Sequence, residues 1–222
     1  MRKSKTLQKL RGNSLVRVCA LGHDLPPYIR HAAQYGFDCI WLDLEHRPLD
    51  VHQVQKLLAI SHLADIDVMI RVGYRESNTL YRYLEDGASG LMCALISNQK
   101  QAEEIVQATK FPPLGNRGFD GAMLDSDYLL KGGEGYPEAA NRETFLLAQI
   151  ETVEAVHNIE AIASVNGIDA LFIGWKDLSL RIKNSPDISW ELEDIVERVN
   201  SAVKAQGKHW GAVTENKDEM KK

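Results

Sequence analysis

Short apolar runs alternate along this chain with stretches of helical period, the pattern of parallel βα units rather than of hairpins. Seven runs read as strands: Val16 to Leu21, Cys39 to Leu44, Val68 to Val72, Gly90 to Leu95, Phe145 to Ile150, Ala170 to Ile173 and His209 to Val213. Between them lie amphipathic helices. Val51, Val54, Leu57 and Leu58 share one helical face, and Asp50 with Gln53 predicts a capping pair ahead of it. Gly36, Gly87, Gly167 and Gly207 each follow a helical stretch, where a left-handed C-cap calls for glycine. Seven units in a row exceed what most open sheets hold, so the expected class is α/β, a TIM-type (β/α) barrel, with a doubly wound sheet as the alternative. An eighth unit is not seen. Thr214 to Lys222 reads as a polar tail and the start of a helix, so the expectation is one domain over 1–222, a barrel truncated at its C-terminal unit. Pro112 to Arg142 is glycine-rich and without period, too long for an ordinary connection, and is expected to be a functional loop with a short helix.

Composition narrows the partners. Twenty-six Lys and Arg stand against 31 Asp and Glu, and a net charge of -5 gives no electrostatic reason for nucleic acid or an anionic membrane as partner. The basic opening, Arg2, Lys3, Lys5, Lys9 and Arg11, reads as a solvated segment, and Leu15 to Leu21, interrupted by Arg17, is too short for a signal peptide. No stretch approaches membrane-spanning length. Cys19, Cys39 and Cys93 lie in strand-like runs without CxxC spacing, which predicts reduced core thiols and a cytoplasmic protein.

In a parallel barrel the reactive groups gather at the carboxyl ends of strands. Polar residues stand at four such ends: Asp43, Glu45 and His46; Arg71; Gln149 and Glu151; and Asp177. Gln149 and Glu151, two apart on a strand, point to one face, expected to be the barrel interior. Two carboxylates beside an amide oxygen suit a hard ion such as Mg²⁺ or Mn²⁺, and zinc less, because no His or Cys pair accompanies them. Glu151 reads equally as a helix N-terminal acid, and Asp177 as an N-cap. His46 has carboxylates close enough to orient its ring for general-base use, although a lone histidine is commonly structural. Arg71, ending an apolar strand, needs an anion, either a structural ion pair or an oxyanion formed in a reaction. Glu85 reads as a solvated helix acid.

Leu42-Asp43-Leu44-Glu45-His46, Lys110 to Gly118, Gln149-Ile150-Glu151 and Phe172 to Ser179 together resemble the HpcH/HpaI aldolases, in order and across most of the chain. The resemblance implies a barrel of the phosphoenolpyruvate/pyruvate-binding type and a metal-dependent lyase that cleaves a 2-keto-3-deoxy sugar acid or a 4-hydroxy-2-oxo diacid to pyruvate and an aldehyde. It further implies Glu151 and Asp177 as ligands of Mg²⁺, Mn²⁺ or Co²⁺, chelated also by the pyruvyl carboxylate and keto oxygen. Gln149 and Gly174 would contact substrate, with backbone amides around Lys176 and Asp177 holding its carboxylate. Arg71 would stabilise the enolate, His46 would accept the proton, and Glu85, where the family usually has aspartate, would make that histidine more basic. A homo-oligomer, trimeric or hexameric, is also implied. Trp175 stands where the family commonly has proline, and Leu180-Arg181-Ile182-Lys183 replaces a small, serine-glycine-rich continuation. Two other readings stand beside this one: an acyl-CoA lyase of the citrate-lyase-like type, and a non-catalytic family member.

Overall fold

Each apolar run becomes a strand. In a computed structural model that describes residues 1–73 and 79–214, these are β1 (Val18–Leu21), β2 (Cys39–Asp43), β3 (Asp67–Gly73), β4 (Gly90–Ala94), β5 (Phe145–Ile150), β6 (Ala170–Ile173) and β7 (His209–Ala212). The helices are α1 (Lys5–Arg11), α2 (Pro26–Gln34), α3 (Val51–Leu63), α4 (Leu80–Glu85), α5 (Gln99–Thr109), α6 (Tyr136–Glu143), α7 (Val153–His157), α8 (Ile159–Ser164), α9 (Trp175–Lys183) and α10 (Leu192–Ala205). Residues 215–222, which hold nearly all of the polar tail, lie outside the described residues.

All seven strands are parallel, and each pairs with the next in sequence, so spatial order repeats chain order from β1 to β7. The sheet is an open curl of the TIM-barrel type: among the described residues β1 pairs only with β2 and β7 only with β6. Side-chain alternation splits the core in two. Ile40, Ile70, Leu91, Ala148, Ile150 and Leu171 pack outward against the helices, whereas Cys39, Met69, Met92, Phe145, Leu147 and Phe172 form a separate cluster on the inner face. The expected helix signals hold. Asp50 and Gln53 form a reciprocal capping box, and Gly36, Gly87, Gly167 and Gly207 all take positive φ.

The basic opening is anchored to the sheet, although Lys3 and Arg11 themselves stay exposed. Asp67, wholly buried at the start of β3, accepts hydrogen bonds from Ser4 Oγ at 2.7 Å and the Thr6 amide at 2.8 Å, and pairs with Arg2. A buried carboxylate must find such partners, and they fold α1 across the amino ends of the strands, where Leu7 closes the inner cluster. The Pro112 to Arg142 segment is also structured, with a 3-10 turn at Leu124–Ser126 and α6. Connecting α5 back to β5, it belongs to the amino end of the sheet, where buried Arg117 pairs with Asp125 at 3.0 Å and lies over the Phe111 ring.

Gly90 opens β4 directly beside Phe145, its registered partner in β5, and a Cβ on Gly90 would collide with that ring. Gly90→Ala is therefore expected to cost about 1–3 kcal/mol of unfolding free energy by overpacking the inner cluster, read by urea denaturation.

Candidate active site at the carboxyl ends of the strands

The turn after β2 is organised by one carboxylate. Asp43 Oδ1 accepts from the amides of Glu45 at 3.1 Å and His46 at 3.3 Å, while Leu44 donates its amide to the Arg71 carbonyl on β3. Strand register sets Asp43 directly opposite Arg71. The guanidinium grips Asp43 through Nε at 3.0 Å and Nη2 at 2.8 Å, a forked geometry that lysine cannot copy. Burial pushes the Asp43 carboxyl up, but the Arg71 hydrogen bond and charge outweigh it, and the carboxyl is held below its ordinary value. Glu45 Oε2 lies 3.3 Å from Arg71 Nε, an ion pair without hydrogen-bond alignment. The Arg71 guanidinium also sits 4.9 Å from the Trp41 ring centre. Of the two partners the sequence allowed Arg71, the structural one is thus present, and it fixes a nearly buried cation at the mouth of the sheet.

His46 remains outside, its side chain 59% exposed, with Nε2 3.8 Å from Glu45 Oε2. Hydrogen bonds hold the turn that carries it, while the ring is open to solvent.

Gln149 and Glu151 close β5 on the inner face, in the parity of Phe145 and Leu147, and both are buried. Gln149 Nε2 donates to Glu151 Oε2 at 2.7 Å, and Glu151 Oε1 accepts from the Leu95 amide at 2.8 Å. Leu95, just past β4, takes φ +59°, a region uncommon for a non-glycine residue. Thr152, not Glu151, caps the helix that follows, so the helix-acid reading of Glu151 gives way to a strand-end carboxylate facing inward. Next to it, Gly174 follows the last residue of β6, and a Cβ there would fall 2.8 Å from Gln149 Nε2 and 2.9 Å from Glu151 Oε2. Only glycine leaves room there. Gly174 is the N-cap of α9, and Asp177 sits in that helix's first turn with Lys176 exposed beside it.

These groups suit a divalent cation. The Glu151 carboxyl is pushed up above all by burial; the Leu95 amide opposes this, the charges of Glu45 and Asp177 add to it, and Arg181 opposes it least. Gln149 Oε1 is buried with no hydrogen-bond partner. A hard ion would relieve both, because it prefers carboxylate and amide oxygens. Among the described residues no three His, Cys, Asp or Glu come together as a ready cage.

Glu85 is not brought to His46. It ends α4, on the helix-to-strand side of the sheet, 3.8 Å from Arg117, and burial raises its carboxyl despite that cation. The reason is topological: a crossover helix returns to the amino ends, while strand-to-helix turns carry His46 at the other end. Two groups unassigned from sequence belong here, Asp43, the clamp on Arg71, and Arg181, four residues after Asp177 on α9. That i, i+4 spacing was the available signal.

Comparison with known proteins follows this geometry. The family model described as HpcH/HpaI aldolase/citrate lyase matches residues 20–222. The chain is 38% identical over 161 residues to a 4-hydroxy-2-oxovalerate aldolase of Novosphingobium aromaticivorans, a match covering 72% of this chain and 60% of that protein. It is 35% identical over 168 residues to a 2-dehydro-3,6-dideoxy-6-sulfogluconate aldolase of Pseudomonas putida, covering 73% and 65%. The chain therefore spans less than two thirds of the length of these two relatives. Among solved structures it is similar to an HpcH/HpaI aldolase from Desulfitobacterium hafniense DCB-2, with TM-score 0.86, 28% identity, and 96% of this chain and 83% of that one covered.

Proposed function

The chain belongs to the HpcH/HpaI aldolase/citrate lyase family, and from that premise we propose that it is a class II aldolase, cleaving a 2-keto-3-deoxy sugar acid or a 4-hydroxy-2-oxo diacid to pyruvate and an aldehyde. The observation that carries this reading is the placing, at one end of the sheet, of a buried carboxylate at Glu151 and a fixed guanidinium at Arg71. Relatives named as aldolases of such substrates support the substrate class.

Glu151 and Asp177 would hold Mg²⁺, Mn²⁺ or Co²⁺, and the bound ion would supply Lewis acidity toward the keto oxygen of the pyruvyl half. The chain's own groups do the rest. Gln149 and the glycine surface at Gly174 shape the floor on which the pyruvyl group lies, and the amides opening α9 at Lys176 and Asp177 face its carboxylate. His46 accepts the proton of the C4 hydroxyl as the C3–C4 bond breaks, giving the aldehyde and the pyruvate enolate. Arg71, pre-oriented by Asp43, stabilises the negative charge that grows on the C2 oxygen, and a proton delivered to C3 completes pyruvate. Glu45, paired to Arg71 and 3.8 Å from His46 Nε2, couples the cation to the base. This reading carries a cytoplasmic homo-oligomer with it. Phe119, Tyr128, Leu129 and Leu130, large and exposed on the α5–β5 connection, are consistent with an assembly surface.

The test is exchange of pyruvate methyl protons in D₂O. Exchange that appears with Mn²⁺ or Mg²⁺ and stops with a chelator is expected; none with Mg²⁺, Mn²⁺ or Co²⁺ overturns the reading.

A further inference from the structure

Arg181 stands on α9, where the resemblance leads one to expect a small residue. Its side chain is 37% exposed, at the rim of the site. Nη1 donates to the main-chain carbonyl of Glu151 at 2.6 Å, and the same nitrogen lies 3.5 Å from Asp177 Oδ1. One guanidinium therefore touches both residues of the acid pair, one by its backbone and one by its carboxylate. The two contacts differ in kind. The bond to the Glu151 carbonyl is short and directed, and it joins the end of β5 to α9. The contact with Asp177 is loose, and Asp177 is itself half exposed, so an i, i+4 pair of this sort is weak in water. An ion that binds Asp177 has to take it from Arg181 and then tolerate a fixed positive charge nearby.

We propose that Arg181 is a built-in counter-cation of the Glu151–Asp177 pair, a positioning residue that ties the end of β5 to α9 in the metal-free chain and weakens the affinity of the pair for a divalent ion. It rests on the metal reading above and deepens it, since it makes ion exchange at this site a consequence of one side chain. Two effects oppose each other when Arg181 is removed. Loss of positioning weakens ion binding, and loss of a like charge strengthens it. The loose Asp177 contact and the secure backbone anchor decide the sign, because little orientation of Asp177 is lost while a full positive charge beside the ion goes.

The experiment measures Mn²⁺ binding to the full chain by the electron paramagnetic resonance signal of free Mn²⁺, with no turnover involved. Arg181→Gln removes the charge and keeps an amide donor for the Glu151 carbonyl; Arg181→Lys keeps the charge. Arg181→Gln is expected to bind Mn²⁺ about fivefold to tenfold more tightly than the unchanged chain, and Arg181→Lys within about twofold of it. In the metal-free state Arg181→Gln should also melt at a lower temperature, and added Mn²⁺ should raise its melting point more than that of the unchanged chain. Should Arg181→Gln misfold, Arg181→Met serves as the neutral variant. Equal or weaker Mn²⁺ binding by the neutral variant overturns the role of Arg181 and leaves the metal site standing. No Mn²⁺ binding by the unchanged chain overturns both.

Discussion

Glu151→Gln is expected to lose metal-dependent proton exchange and aldol cleavage by about a thousandfold, which corresponds to roughly 4 kcal/mol of lost charge stabilisation. The substitution keeps the shape of the side chain and an oxygen facing the Leu95 amide, but it removes the charge that would hold the ion. Stability should respond in the opposite sense. In the metal-free chain the Glu151 carboxylate is buried beside the charges of Glu45 and Asp177, so a neutral amide there relieves repulsion. The metal-free variant should melt no lower than the unchanged chain, while its melting point should no longer rise on adding Mn²⁺. Calorimetry with and without Mn²⁺ reads both. A variant that keeps its Mn²⁺-dependent rise would remove Glu151 from the ligand set.

Arg71→Lys should reduce kcat by about 10²–10³-fold, since a point charge on a flexible stem cannot both fork onto Asp43 and stay aimed at a developing oxyanion. The companion Arg71→Met separates stability from chemistry. In the unchanged chain Asp43 is held below its ordinary value, so its pairing contributes stability above the unfolded pKa near 3.8, and this is lost as pH falls through the lower folded value. Without Arg71 that contribution is gone, and burial of the ionised carboxylate is opposed only by the amides of Glu45 and His46. The deficit of Arg71→Met relative to the unchanged chain should therefore be larger at pH 7 than at pH 4, on the order of 3–5 kcal/mol at the higher pH for a nearly buried charge left without its partner. Urea denaturation at the two pH values checks this. An equal deficit at both would mean that Asp43 finds another cation.

Much of the site was legible because strand alternation and strand ends are local properties. A two-residue spacing put Gln149 and Glu151 on one face, and that face is the inner one. What was not legible depends on partners far along the chain. The basic opening from Arg2 to Arg11 looks solvated until Asp67 is seen buried against Arg2, Ser4 and Thr6, more than sixty residues away. Only the family resemblance tied Glu85 to His46, and the crossover helix instead sets Glu85 on the helix-to-strand side beside Arg117.

By itself the sequence determined the succession of parallel βα units, the glycine caps and the residues offered at each strand end, because period, capping and turn chemistry act over a few residues. Only the tertiary structure decided which of those groups meet: that Asp43 claims the Nε–Nη2 edge of Arg71, that Gly174 leaves open the space above Glu151, and that Arg181 leans on the acid pair. The physical reason is that a charge has no function until its surroundings are known. Burial, the neighbouring charges and the hydrogen bonds that turn a carboxylate into a candidate ligand come from strands brought together by the fold.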